Sequence, residues 1–266
     1  SFEYAGYTWA GTVNSLEKIN SLKEMEFGPN DVVIASSPKS GTTWASEVLS
    51  AIAHEGNIDL LNSTKIFDRV PWIELDYGAL SAKSPDMRSS RKQAITVAKR
   101  RIFSTHLPIE LLPPSVREGK CKLLYVARNP KDHAVSYYHF HKMAKFLGLQ
   151  TEMTWNEFFS LFCSGDLWYG SWFDHVLSYW EFTRNNPMAK FICYEDMQRN
   201  IMKQMKMLEQ FVGVSLTMEQ RVKVVEHCSF DSMKSNKMTN RDGNLLLDES
   251  ITKFMRKGIV GDWKNY

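Results

Sequence analysis

Read for its order of apolar and polar positions, the chain is a series of short apolar runs, each followed by a helical pattern. DVVIAS (31–36) reads as a buried strand. It leads into TTWASEVLSAIAHEG (42–56), where Trp44, Val48, Leu49 and Ile52 share one stripe and Gly56 offers a C-terminal stop. KLLYVA (122–127) is a second strand, after which Asn129 can cap a helix with Pro130 at its first position, running through the 140s. AKFICY (189–194) is a third, followed by a helical stretch over EDMQRNIMKQMKMLEQFVG (195–213). This alternation predicts an α/β fold: a single domain over 1–266 with a central parallel β-sheet flanked by helices on both faces. In such sheets ligands lie beyond the carboxyl ends of the strands.

Composition narrows the function classes. No repeat, low-complexity tract or linker divides the 266 residues. A net charge of +3 is too small to make nucleic acid the default partner, yet suits a small, strongly anionic ligand if the basic residues cluster. No apolar run is long enough for a bilayer, and residues near Ser1 show no signal-peptide pattern. Cys121, Cys163, Cys193 and Cys228 lie far apart without a C-x-x-C pair, which argues against a disulfide framework or zinc site and fits a reducing cytosol. The expectation is a cytoplasmic protein with no metal and no membrane contact. Because it opens on Ser1 and stops at Tyr266, the chain reads as a piece of a longer protein.

The candidate chemistry sits at the strand ends. SSPKSGTTW (36–44) leaves a strand, turns through Pro38 and Gly41 and enters a helix. A triphosphatase loop has glycine first and lysine late; here Lys39 precedes Ser40, Gly41, Thr42, Thr43 and Trp44. The first N–H groups of a helix have no intrahelical partner and carry its positive dipole end. Gly41 permits close backbone approach, the three hydroxyls add donors, and Lys39 adds a point charge, a set suited to one phosphate rather than three. The plainer reading is a strand-to-helix connection with an ordinary cap. His106, in FSTHLP (103–108), titrates near neutrality and can take a proton from a hydroxyl. Arg128 ends a strand, where its planar fork suits phosphate, or alternatively an ion pair with Asp132. His139 and His141, two apart on a helix, do not face each other as metal ligands would.

The segment PKSGTTW (38–44) resembles the 5′-phosphosulfate loop of the cytosolic sulfotransferases, and downstream segments resemble that family to the C-terminus, closest to its phenol-active vertebrate-type branch. The resemblance implies a donor, 3′-phosphoadenosine 5′-phosphosulfate (PAPS), a product, 3′-phosphoadenosine 5′-phosphate (PAP), and a small hydroxylated acceptor: a phenol, iodothyronine, steroid or alcohol. It makes His106 the base, and has Lys39 stabilise the leaving phosphate that Thr43 and the Gly41 backbone hold. Arg128 and Ser136 in YVARNPKDHAVSYYHF (125–140) would grip the 3′-phosphate. Phe254, Met255, Arg256, Lys257 and Gly258 of FMRKGIVGDWK (254–264) would close over it. Trp44, Tyr194, Phe230 and Met233 would border the adenine, with Cys228 where many relatives have threonine. Trp72 and Phe140 would line the acceptor entrance, Trp72 replacing a phenylalanine common in phenol-active members. Ser104 stands where many relatives carry an auxiliary lysine. Relatives continue into a K-x-x-x-T-V-x-x-x-E dimer motif; Lys264 matches its first residue and the remainder lies outside this chain, leaving a homodimer open. Two other readings compete. A P-loop kinase needs glycine before lysine and an acidic strand end, where this chain has Arg128. A catalytically silent nucleotide-binding protein is favoured by Ser104 and Cys228 and opposed by Lys39 and His106.

Overall fold

The computed structural model describes residues 1–78, 80, 100–147, 152–241 and 243–266. A short antiparallel pair, β1 (Phe2–Tyr4) and β2 (Tyr7–Trp9), opens the chain and buries Trp9 completely. The central sheet holds β3 (Val32–Ala35), β4 (Ile102–Thr105), β5 (Lys122–Ala127) and β6 (Ala189–Cys193) in the order β4–β3–β5–β6. Every neighbouring pair is parallel, and Ala35 lies beside both Thr105 and Tyr125. The strands read as unbroken apolar runs because both faces are covered. Val33, Ala35, Leu123, Tyr125 and Ala127 point into one core, while Val32, Ile34, Leu124 and Val126 point into the other.

Helix α1 (Thr42–Ala53) returns along the second face, burying Val48, Leu49 and Ile52 against it. Each such side chain contributes about 1.5–3 kcal/mol relative to exposure. The helix is shorter than the expected 42–56. His54 caps it, Glu55 and Gly56 take φ of 54° and 74°, and Gly56 N–H donates to Ala51 O at 2.9 Å, so the glycine closes the turn beyond the helix. Helix α2 (Pro130–Met143) begins as expected, with Asn129 Oδ1 accepting from Lys131 N–H. Helix α3 (Trp172–Asn185) lays Tyr179 on the first face, stacked on Tyr125 at 4.4 Å between ring centres.

Two expectations need correction. The third strand stops at Cys193, and Tyr194 already begins a helix. The single helix expected over 195–213 is two, α4 (Tyr194–Arg199) and α5 (Ile201–Val212). Asn200, at φ −156° and ψ 79°, leaves the helical region and its side chain accepts from Lys203 N–H, ending one helix and capping the next. The apolar periodicity runs through this break unaltered. After α5 come α6 (Met218–His227) and α7 (Phe230–Ser235), which reach the carboxyl edge of the sheet.

From β3 the chain passes first to β4 on one side and later to β5 on the other. A crevice therefore opens between the loops that follow β3 and β5, the usual place for a ligand in an open α/β sheet.

Candidate functional site

The loop after β3 is held from below. Ser36 Oγ lies 2.6 Å from Thr42 Oγ1, and Ser37 Oγ lies 3.1 Å from His133 Nε2. Lys39 and Gly41 both have positive φ, 68° and 103°. Backbone of this kind is how successive N–H groups come to face one side of a turn. Only glycine fits at 41: a Cβ there would come 2.7 Å from the Tyr194 ring. Gly41 is also the N-cap of α1 and supplies no side-chain cap, whereas Ser, Thr or Asn side chains cap α2, α3, α5, α6 and α7. The first-turn donors of α1 thus stay open to an external acceptor. Ser40 Oγ is buried without a partner among the described residues.

Lys39 reaches over the loop, its Nζ 3.8 Å from the Phe254 ring centre, 5.0 Å from that of Phe140 and 3.4 Å from Phe254 O. Burial pulls its ammonium well below the ordinary lysine range, and Arg241, Arg128 and Arg256 pull it further. Four basic side chains thus converge around this loop.

His106 follows directly on β4. Its Nδ1 lies 2.6 Å from Ser36 O, so that nitrogen carries the proton and donates it, leaving the Nε2 lone pair available. The backbone is pinned from both sides. His106 N–H donates to Glu74 Oε1 at 2.8 Å, and His106 O accepts from His175 Nε2 at 3.1 Å. Tyr125 OH in turn donates to His175 Nδ1 at 2.7 Å, and Trp72 packs on the imidazole at 4.4 Å. Burial holds the imidazole well below its ordinary pKa, the Ser36 carbonyl opposing this, so the ring is neutral at pH 7.

At the end of β5, Arg128 donates to Lys39 O at 3.2 Å and to Ile259 O at 3.3 Å, and stacks on Tyr194 at 4.6 Å. It makes no ion pair with Asp132, correcting that alternative. Asp132 accepts instead from Gly261 N–H at 2.6 Å and Trp263 N–H at 3.0 Å, fastening the C-terminal segment to α2. Arg256 and Lys257 are not free either: both pair with Asp262. Burial raises the Asp262 carboxyl, but hydrogen bonds from Lys257 and Arg256 outweigh it and hold the group far below the usual range. Gly258, at φ 66°, lies so close to Phe230 that a Cβ would sit 2.2 Å from its ring. Gln198 Nε2 joins this segment to α4 by donating to Gly258 O at 2.9 Å.

These pieces border one cavity of about 420 Å³, in the range of small-molecule sites. Every residue expected to serve the reaction, the nucleotide or the acceptor lines it except Ser40, whose hydroxyl is buried. Lys39, Thr42 and Thr43 give its lining one set of cationic and hydroxyl groups, and Arg128, Ser136 and Arg256 to Gly258 give it another, the two sets touching where Arg128 donates to Lys39 O at 3.2 Å. Trp44, Tyr194, Phe230 and Met233 add apolar and aromatic surface to the same lining, with Trp44 Nε1 donating to Cys228 O at 2.9 Å. Cys228 itself is buried, which pushes its thiol well above the ordinary range. Met255 borders the same cavity while packing on the second core. Trp72, packed on His106, and the contacting rings of Phe140, Phe146 and Trp168 add further apolar lining to the cavity. His139 hydrogen-bonds Tyr266, and His141 is buried against Tyr137 and Phe158. Among the described residues no three His, Cys, Asp or Glu converge as a metal site.

Sequence reasoning missed Glu74, His175, Arg241 and Tyr169, whose hydroxyl donates to Glu74 Oε1 at 3.1 Å and whose ring lies 5.5 Å from that of His106. Only Glu74, two residues after Trp72 in RVPWIEL, left a local signal: a charge following an apolar run. The others act through partners roughly seventy to two hundred positions away in the chain.

Comparison with known proteins agrees with this geometry. The sulfotransferase domain family matches residues 29–266. Sulfotransferase 1C2 of Rattus norvegicus is 42% identical over 259 residues, covering 97% of this chain and 83% of the relative. Sulfotransferase 1B1 of Mus musculus is 41% identical, covering 92% and 80%. Among solved structures, mouse sulfotransferase SULT7A1 complexed with PAP superposes with a TM-score of 0.76 at 34% identity, covering 100% of this chain and 87% of that one. A retinol dehydratase in complex with androsterone and inactive cofactor PAP gives 0.81 at 26% identity, covering 94% and 80%. With the loop, the crevice and the matches all running through the same residues, the chain belongs to the sulfotransferase family.

Proposed function

We propose that this protein transfers the sulfuryl group of PAPS to a hydroxyl of a small apolar acceptor, releasing PAP. One observation carries the reading. A single crevice joins the uncapped start of α1 with Lys39, a neutral His106 offering Nε2, and the Arg128 and Arg256–Gly258 cluster. The donor fits what is present: two anionic groups for two basic sets, a flat base for the aromatic surface, and an acceptor for the orphaned Ser40 hydroxyl and first-turn N–H groups.

In this reading Arg128, Ser136, Arg256, Lys257 and Gly258 bind the 3′-phosphate, and Trp44, Tyr194, Phe230, Met233 and Cys228 border the adenine. Phe254 and Met255 cover the nucleotide. Lys39, Ser40, Gly41, Thr42 and Thr43 hold the 5′-phosphosulfate. His106 Nε2 takes the acceptor proton as the acceptor oxygen bonds to sulfur. The bond from sulfur to the bridging oxygen breaks, and its electron pair passes to the 5′-phosphate, where Lys39 offsets the growing charge. Trp72 and Phe140 wall the acceptor compartment, which suits a flat molecule with one hydroxyl. A phenol, iodothyronine, steroid or alcohol meets that description, and two structural neighbours are complexes with androsterone and with retinol.

The test is transfer of radiolabelled sulfate from PAPS across a panel of phenols, iodothyronines, steroids and aliphatic alcohols. Labelled product from at least one class supports the reading and names the acceptor. PAP binding without transfer to any of them would instead leave a silent nucleotide-binding protein.

A further inference from the structure

One cation of the cavity has no role in the scheme above. Arg241 follows α7, outside any helix or strand, and its backbone has φ 62°, a left-handed conformation that costs a non-glycine residue energy. Its guanidinium lies 4.2 Å from the Phe254 ring centre and 4.5 Å from that of Phe67. Nη2 reaches Thr43 Oγ1 at 3.5 Å, and Nε is buried with no hydrogen-bond partner among the described residues. Among the described residues no carboxylate pairs with it, unlike Arg69, Arg101, Arg221 and Arg256.

Lys39 leans on the same Phe254 ring, so two positive charges converge there and on the loop after β3, with no carboxylate paired to either among the described residues. Among charged neighbours Arg241 acts most strongly on Lys39, and it also acts on His106. Ser104 on β4 brings no charge to the site: it is buried, its hydroxyl lying 3.0 Å from Ser46 Oγ.

Resting on the reading of the cavity as a PAPS site, we propose that Arg241 is a further residue of the transfer site, its guanidinium engaging the 5′-phosphosulfate end of the donor beside Thr43. A planar fork with an unpartnered Nε suits a tetrahedral oxyanion. It adds a second cation where charge accumulates as the bridging bond breaks.

The experiment compares Arg241→Gln and Arg241→Lys with the wild-type chain, using PAP and adenosine 3′-phosphate, which lacks the 5′-phosphate. Arg241→Gln should weaken PAP binding about 10–100-fold, the usual worth of a hydrogen bond to a charged group. It should leave adenosine 3′-phosphate binding and the acceptor KM unchanged and lower kcat. Arg241→Lys should recover most of the PAP affinity. An equal loss for both nucleotides would make Arg241 a structural residue. A rise in acceptor KM alone would make it an acceptor contact, and no change would remove it from the site; each overturns the proposal. A wild-type chain that neither binds PAP nor transfers sulfate would overturn the underlying reading instead.

Discussion

His106 shows how one side chain is prepared by groups that never touch a substrate. Ser36 O fixes which nitrogen is protonated, while Glu74 and His175 fix where the residue sits. Under the proposed mechanism, His106→Ala should lower kcat on the order of 10²–10⁴-fold. PAP affinity measured by calorimetry should stay within about two-fold, since in that mechanism the imidazole serves the acceptor and not the nucleotide. Retention of most of the turnover would take the proton transfer away from this residue. Gly258 supplies a different sort of test. Its positive φ and the Phe230 ring leave no room for a methyl group. Gly258→Ala should displace either Phe230 or the 254–260 turn and weaken PAP binding by roughly ten-fold or more, on the scale of 1–3 kcal/mol of local strain. Unchanged affinity would mean that the turn does not meet the nucleotide. At this scale the sequence was most readable where one local string contains the whole device, as in residues 36–44. Arg241 and His175 escaped because their meaning lies in Thr43, Phe254 and the His106 carbonyl, distant in the chain.

Elements were legible where apolar pattern and end signals coincided. The strand expected at 122–127 is found with those bounds, and Asn129 with Pro130 starts α2. FSTHLP drew attention for its histidine, yet residues 102–105 are a strand; four residues of mixed polarity carry too short a period to announce one. The break at Asn200 was hidden for the opposite reason, since a strong apolar stripe continues across it. Between elements, Asp132 is the joint that matters. Two backbone N–H groups of the C-terminal segment end on its carboxylate, each bond to a charged acceptor contributing about 1.5–3 kcal/mol. Asp132→Ala should therefore speed amide exchange across residues 254–266 and weaken PAP binding, while leaving protection in α1 unchanged. Equal exchange in both proteins would show that the segment is held by other contacts.

For the whole molecule, the buried histidines govern acid sensitivity. Burial holds His133 and His141 down to about 3 and His175 down to about 4, with His106 also well below its ordinary value. The unfolded chain takes up these protons near pH 6.5 while the folded chain does not. Their stabilisation is complete above that pH and is lost as pH falls, by about 1.4 kcal/mol per pH unit and per histidine at most. Glu74 works the other way: burial lifts its carboxyl to about 7, against the hydrogen bond from His106 N–H, so it favours the folded form as pH falls from 7 toward 4.5. Four groups outweigh one. The urea midpoint should drop clearly between pH 7.5 and 5.5, and a flat profile would show that these imidazoles are protonated in the native state.

Asp262 has a consequence for ionic strength. Because it already neutralises one of the two cations beside it, the trio formed with Arg256 and Lys257 carries a single net positive charge. Under the proposed function an incoming phosphate would meet a pre-balanced surface whose side chains are already oriented, and would displace few mobile salt ions. Recognition there would depend on shape and hydrogen-bond direction more than on long-range attraction, and would persist in salt that silences a bare basic patch.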